Sequence, residues 1–337
     1  MDALIQRFEN EVIRGYTEML RAQYRIHPRF EGIRRQWEAW LSDAKRLVNG
    51  PFLEAAANNE YGESLGNLPL ASATRQTVAS AMGGRRLYFH QSQALKLLLP
   101  PSERNVVVAT GTSSGKTRCF QIPILDNLVR DPSPGLRAII IYPLNALVND
   151  QLQDWERLLS EHKNITFARF TGQTPRDQVD FESHLRKACR ARLAGRVAPD
   201  VLNDEANRLF REELKKVESH PNHLRHRDAI RANPPHILIT NFSMLEYLLI
   251  RPVDAPVFEG AHLRFIVLDE AHAYRSVQAT EIAFLIRRLK DRLRVEKPVC
   301  IATSATLGND KDPASKERVR RFAEGLFGEP FEADAII

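Results

Sequence analysis

The sequence predicts an α/β fold: a central parallel sheet with helices on both faces, preceded by a small helical region. Three features carry that expectation. Apolar runs at Val106 to Ala109, Ala138 to Tyr142, Ile165 to Phe170, His236 to Thr240, Leu263 to Leu268 and Val299 to Ala302 alternate with stretches of helical period, the pattern of strands joined by crossover helices. The run Ala138-Ile139-Ile140-Ile141-Tyr142 is too continuous to be amphipathic, so it belongs in a parallel sheet covered on both faces. The first run, with Asn105 in front, breaks into Thr110-Gly111-Thr112-Ser113-Ser114-Gly115-Lys116-Thr117, the outline of a strand that turns into a helix around a phosphate group.

Phosphate chemistry explains these residue types. Small side chains let backbone N–H groups converge on phosphate oxygens, and the N-terminus of the following helix adds partial positive charge. Lys116 then neutralises the β- and γ-phosphates, and the Thr117 hydroxyl ligates Mg²⁺. Thr110 stands where the general pattern has glycine, the glycine having moved to Gly111. An ordinary strand-to-helix turn shares this outline, and only the rest of the chain separates the two readings.

At 337 residues the chain has room for about two domains and a sizeable core. Its 43% hydrophobic and 27% charged residues exclude wholesale disorder. The net charge of +6 fits a polyanion such as nucleic acid, and equally a basic surface with no such partner. Cys119, Cys189 and Cys300 form no Cys-x-x-Cys pair, which argues for a reducing compartment and against structural zinc. The opening MDALIQRFEN resembles neither a signal nor a transit peptide, and no apolar run approaches the ~20 residues of a membrane span. A cytoplasmic protein without a membrane partner is expected.

In chain order, Ile5, Phe8, Val12, Tyr16 and Met19 recur at helical spacing, as do Phe30, Ile33, Trp37, Trp40 and Leu47, with breaks at Pro28 and Gly50-Pro51. The segment from Asn58 to Gly84 reads as loop with one short helix. Residues 1–86 are therefore expected to form a helical accessory domain, or a dimer or partner surface. In Leu87-Tyr88-Phe89-His90-Gln91, shortly before the phosphate loop, the Gln91 carboxamide suits the N6 and N7 edge of adenine. Arg118 to Val129 reads as the helix that starts at the phosphates; Val148, Leu152, Trp155 and Leu159 mark the next helix, after Pro143.

Such a sheet collects functional groups at the carboxyl ends of its strands. There, Phe265 to Leu268 delivers Asp269-Glu270-Ala271-His272. Asp269 suits Mg²⁺, usually through water, and Glu270 suits orienting and deprotonating the water that attacks the γ-phosphate. A helix N-cap is the plain alternative for two acids after a strand. Ser304-Ala305-Thr306 follows the last strand, with hydroxyls suited either to the His272 region or to a cap. Arg176 to Asn233 is long for a strand connection and has helical period. Its basic end, Lys215, Lys216, Arg225, Arg227 and Arg231, fits either a solvated face or a nucleic-acid or protein partner. His220, His223 and His226 are three apart, but Pro221 interrupts the helix that would align them, which argues against a metal site.

Gln91 in YFHQ, TGTSSGKT at 110–117, PLNALVNDQ at 143–151, TGQTP at 171–175, TNFSML at 240–245, DEAH at 269–272 and SAT at 304–306 occur in the order of the first RecA-like domain of superfamily 2 helicases. The chain most resembles the large bacterial DEAD/DEAH-box helicases of the MrfA type, with relatives in DNA repair and in the DISARM and Druantia phage-defence systems. The resemblance implies ATP-driven movement on nucleic acid, most naturally DNA. It gives Gln91 the adenine, Gly111, Thr112, Ser113, Ser114, Gly115, Lys116 and Thr117 the phosphates, and Thr117 with Asp269 the Mg²⁺. It gives Glu270 the hydrolytic water, and His272, Ser304 and Thr306 the coupling. Pro143, Asn145, Gly172, Thr240 and Asn241 would contact the sugar-phosphate backbone, Asn145 replacing the usual lysine or arginine.

The implied organisation is residues 1–86 as accessory domain, 87–310 as RecA-like domain with an insertion at 176–233, and 311–337 as the start of a linker toward a second RecA-like domain supplied elsewhere, with a defence-system protein as a further partner. Without that second domain the chain is expected to show weak or absent ATPase and no unwinding. A nucleotide-dependent switch or scaffold that moves nothing is the competing class; a complete Asp269-Glu270 pair favours the motor.

Overall fold

In the computed structural model, which describes residues 8–43, 60–111, 114–197, 201–274, 276–305 and 313–337, seven strands form one all-parallel sheet. They are β1 (Val106–Ala109), β2 (Ala138–Tyr142), β3 (Phe167–Phe170), β4 (His223–Leu224), β5 (Ile237–Asn241), β6 (Phe265–Leu268) and β7 (Val299–Ser304), in the order β1-β7-β6-β2-β5-β3-β4. The helices are α1 (Arg14–Gln23), α2 (Glu31–Leu41), α3 (Ser72–Met82), α4 (Phe89–Leu98), α5 (Thr117–Arg130), α6 (Asn145–Leu158), α7 (Gln178–Leu193), α8 (Leu202–Ser219), α9 (Arg227–Ala232), α10 (Phe242–Ile250), α11 (Val277–Leu293) and α12 (Pro313–Phe327).

Successive strand residues serve opposite cores, as a period of two demands. Val106, Val108, Ile140 and Tyr142 pack with Leu95 of α4, Phe120 of α5 and Trp155 of α6. Val107, Ile139 and Ile141 pack on the other face with Leu248 of α10, Ile286 of α11 and Phe327 of α12. All five residues of β2 are fully buried, which is why its sequence carries no amphipathic signal.

The chain divides into units at 1–58 and 59–337, so residues 60–86 fall in the larger unit and not with the N-terminal helices. The reason is packing: Val78 of α3 joins the core beneath α5, the Ala71 N–H donates to Asp126 Oδ1 at 2.7 Å, and Thr77 Oγ1 lies 2.8 Å from His162 Nε2. In the smaller unit, α1 and α2 meet through Arg21 and Glu38 at 2.8 Å and an edge contact of Tyr24 with Trp37. Tyr16, Met19, Phe30 and Ile33, expected on apolar faces, are exposed. Ile5, Leu47 and Gly50-Pro51 lie outside the described residues.

Residues 313–337, expected to begin a linker, are packed on the larger unit. Val319, Phe327 and Phe331 join the second core; the Ile337 N–H donates to the Val107 carbonyl at 2.9 Å, and the Ala109 N–H donates to the Ile337 carbonyl at 2.7 Å, so the tail lies along β1.

The insertion folds as the pair α7 and α8, with Arg186 3.7 Å over the Phe210 ring, and then adds β4 to the sheet edge. Much of its basic end is held internally: Arg225 to Glu156 at 2.9 Å, Arg231 to Asp254 at 2.7 Å, Arg227 to the Thr171 carbonyl at 3.2 Å and Lys216 to Glu213 at 3.0 Å. His220 caps α8, His223 lies in β4 and His226 caps α9, so the three share no helix face, and no metal-ligand cluster occurs among the described residues.

A carboxylate does stand beside one of these imidazoles, and the sequence hides it. Glu156 of α6 lies 2.8 Å from His223 Nδ1. Burial holds His223 down to about 4 despite that neighbour, and the hydrogen bond from His223 keeps Glu156 below the usual carboxylate range. A histidine whose folded pKa is lowered contributes stability that is complete above its unfolded pKa of about 6.5 and is lost as pH falls toward the folded value. His90, His162 and His236, all lowered by burial, act with the same sign. The urea midpoint is therefore expected to fall between pH 7 and pH 5, with about 2 kcal/mol from His223 alone. The His223→Gln variant should show a flatter profile by circular dichroism; an unchanged slope would remove His223 from the account.

Candidate active site

Strand order decides which loops meet. Neighbouring strands lie about 4.8 Å apart, and β7 separates β1 from β6 by a single position. With Ala109 level with Ser304 and Leu268 level with Ala302, the phosphate loop, Thr303-Ser304 and Asp269-Glu270 all emerge at one rim.

On that rim, Gly111, Ser114, Gly115, Lys116 and Thr117 are described; Thr112 and Ser113 are not. Gly115 has φ +76°, a conformation that favours glycine, and a Cβ there would stand 2.6 Å from Gln91 Nε2 and push the Gln91 amide aside. Lys116 is buried and donates to the carbonyls of Thr110 at 3.0 Å and Gly111 at 2.9 Å. Thr110 and Ser114 hydroxyls lie 2.8 Å apart. Thr117 opens α5, and its Oγ1 accepts from Gln151 Nε2 at 3.3 Å.

Gln91 is where the structure departs most from the adenine assignment. Its Oε1 accepts from the Tyr88 N–H and its Nε2 donates to the Gly115 carbonyl, both at 2.9 Å. As placed, the carboxamide ties α4 to the phosphate loop and offers neither group to a base.

The Asp269 carboxyl accepts from the Thr303 hydroxyl, and the Glu270 N–H donates to that same hydroxyl at 3.2 Å. Burial raises the Asp269 pKa, the Thr303 bond opposes that rise, and the Glu270 charge adds to it. Lys116 is close enough for its charge to favour the Asp269 carboxylate. Glu270 sits at φ +50°, a left-handed conformation uncommon for a non-glycine residue, and makes no cap bond to the short turn Ala271–Ala273. The N-cap alternative therefore has no support at Glu270. Its Oε2 lies 3.2 Å from His272 Nδ1, which is 3.3 Å from Ser304 Oγ, so the expected pairing of His272 with Ser304 is present. Thr306 lies outside the described residues. Sequence reasoning missed Thr303; the register, which sets it level with Asp269, is the signal that finds it.

The residues expected at nucleic acid line the ends of β2, β5 and β3, which are adjacent. Pro143 and Asn241 share a 390 Å³ pocket with Ser243 and Tyr274. Gly172 is exposed, and among the described residues a Cβ at this position would meet nothing within 4 Å. Asn145 begins α6, and its side chain lies outside the described parts of the chain. Thr240 departs from the expectation: it is fully buried and its hydroxyl donates to the Phe170 carbonyl at 2.7 Å, fixing β5 to β3. Asn241 caps α10 through the Met244 N–H at 2.8 Å. A further cavity of about 620 Å³ lies between α7 and the β3–β4 edge, with Gln173 and Pro175 from the turn after β3 in its wall.

A parallel sheet carrying a Gly-Lys-Thr turn and an Asp-Glu pair on one rim is the core of a RecA-like, P-loop nucleotide-binding domain. The chain belongs to the DEAD/DEAH box helicase family, whose profile matches residues 88–193 and 198–313. It is 33% identical to the Druantia protein DruE of Escherichia coli (strain UMEA 4076-1) over 95% of this chain and 21% of DruE. It is 27% identical to the uncharacterized ATP-dependent helicase YprA of Bacillus subtilis (strain 168) over 72% of this chain and 26% of YprA. The DUF1998 helicase MrfA bound to DNA superposes with TM-score 0.53 at 25% identity, covering 82% of this chain and 29% of MrfA. The Mycobacterium smegmatis helicase Lhr, bound to ssDNA and AMP-PNP, shares the fold with TM-score 0.55 at 21% identity, over 82% of this chain and 28% of Lhr. The chain thus spans between a fifth and a third of these relatives. Nucleotide use follows from the family, and no described helix is long and apolar enough to cross a membrane.

Proposed function

We propose that this chain is the nucleotide-binding part of an ATP-dependent DNA helicase or translocase, with Mg·ATP on the 111–117 loop and one DNA strand across the ends of β2, β5 and β3. The observation that carries the reading is the convergence of the Lys116 turn and the buried Asp269 carboxyl on one rim. Burial disfavours a charged Asp269, and a divalent cation beside it restores the balance; the hard oxygens of Thr117 and Asp269 suit Mg²⁺. Bound there, Mg²⁺ would neutralise charge on the phosphate oxygens.

The chain's own groups divide the remaining work. Lys116 leaves the Thr110 and Gly111 carbonyls for phosphate oxygens, and Gln91 releases Gly115 to meet adenine. Glu270 orients the attacking water and takes its proton, while His272 and Ser304 transmit the state of Glu270 to β7. Gly172 admits the strand backbone closely, Pro143 and Asn241 line its path, and Thr240 aligns the strands beneath. A second RecA-like domain supplies the opposing half of the cleft, residues 8–43 belong to an accessory region, and the likeness to DruE extends the proposal to a role in phage defence with a partner protein, in the cytoplasm.

Fluorescence titration with a labelled ATP analogue and, separately, a labelled single-stranded DNA tests the reading. Saturable binding of both is expected, the nucleotide requiring Mg²⁺. No nucleotide binding at millimolar concentration would overturn it.

A further inference from the structure

The proposed metal ligand Thr117 is held by a residue that belongs to neither the phosphate loop nor the acidic pair. Gln151 Nε2 donates to Thr117 Oγ1 at 3.3 Å, while Gln151 Oε1 is buried without a partner among the described residues. Buried amide oxygens are seldom left so. Rotating the amide about its last bond brings Oε1 toward the Thr117 hydroxyl; Thr117 then donates its proton and keeps its oxygen lone pairs for a cation.

Gln151 also stands in a telling place. It lies on α6, which begins at Asn145 directly after Pro143, at the rim where the DNA strand is placed above. The helix packs on the sheet through Trp155 and Leu158, and Gln151 lies one turn before Trp155 on the same helix.

We propose that Gln151 is a positioning residue that sets the Thr117 hydroxyl for Mg²⁺ and carries the DNA-bound state of α6 to the phosphate loop. This rests on the nucleotide and DNA reading above. Coupling of this kind is reciprocal: DNA that tightens nucleotide binding must itself be bound more tightly with nucleotide present.

The test compares wild type, Gln151→Ala and Gln151→Glu in titrations of a fluorescent ATP analogue, across Mg²⁺ concentrations, with and without oligothymidine. In wild type, DNA tightens nucleotide binding. In Q151A the half-saturating Mg²⁺ concentration rises about tenfold and the DNA effect shrinks below about 1.5-fold, while DNA binding without nucleotide is unchanged. Q151E keeps an oxygen acceptor for the Thr117 proton, so its Mg²⁺ requirement stays within about threefold of wild type; Gln151→Met fills the same space without that acceptor and should follow Q151A, whereas a role in packing alone would leave it like wild type. If wild type takes up no Mg·nucleotide, the function reading falls and this one with it. If wild type binds but Q151A matches it in Mg²⁺ requirement and DNA effect, only the Gln151 assignment falls.

Discussion

Replacing Glu270 by glutamine is expected to lower the single-turnover rate of ATP hydrolysis at least about 100-fold, while Mg·ATP affinity stays within about threefold. A general base contributes roughly 10² to 10⁴ to such a step. The amide keeps the size of the carboxyl and places an atom where Glu270 Oε2 lies, 3.2 Å from His272 Nδ1, but it cannot take a proton from water. The neighbouring Asp269 retains the bond from Thr303, so the cation site survives the change. The φ of +50° at this position is no harder for glutamine than for glutamate, which separates the chemical effect from backbone strain. Quenched-flow measurement with enzyme in excess over labelled ATP, with single-stranded DNA present, reads the chemical step even where turnover is slow. Equal rates in both proteins would leave Glu270 without a catalytic role and restore the switch or scaffold as the better class.

Most of this rim is legible in the sequence because the residues that build it are local. A β-branched run ending in Gly115-Lys116-Thr117, and an apolar run ending in Asp269-Glu270, announce strand ends by themselves. What no local pattern holds is who stands beside whom. Thr303 meets Asp269 because β6 and β7 are neighbours; Glu156 meets His223 across 67 positions of chain. Gln151 is, in sequence, only the last letter of PLNALVNDQ, and its bond to Thr117 depends on how α5 and α6 share one face of the sheet. The same limit explains the basic end of the insertion: Arg225 and Arg231 look like free cations in sequence, and their carboxylates come from α6 and from the turn after α10. It explains the accessory boundary as well, since α3 lies in a loop-like stretch and declares its allegiance only by burying Val78 against the larger core.

Replacing Lys116 by alanine is expected to weaken Mg·ATP binding about 100-fold. Hydrogen bonds to charged groups contribute about 1.5–3 kcal/mol each, and about 3 kcal/mol corresponds to two powers of ten in affinity. The residue has a structural use too, since its ammonium group holds the Thr110 and Gly111 carbonyls. Phosphate oxygens compete with those carbonyls for the ammonium group, so loss of the bonds lowers stability by at most about 1–2 kcal/mol and removes a competitor of the nucleotide. The two effects oppose each other in affinity, and the charge lost from the phosphates is the larger. Measuring the urea midpoint beside the nucleotide Kd tells them apart: a folded K116A with an unchanged Kd would show that the turn grips something other than a triphosphate. Lys116→Met, which fills the same buried space without charge, should behave as K116A does in binding while restoring part of any lost stability. The contrast identifies charge, rather than loop shape, as what holds the ligand.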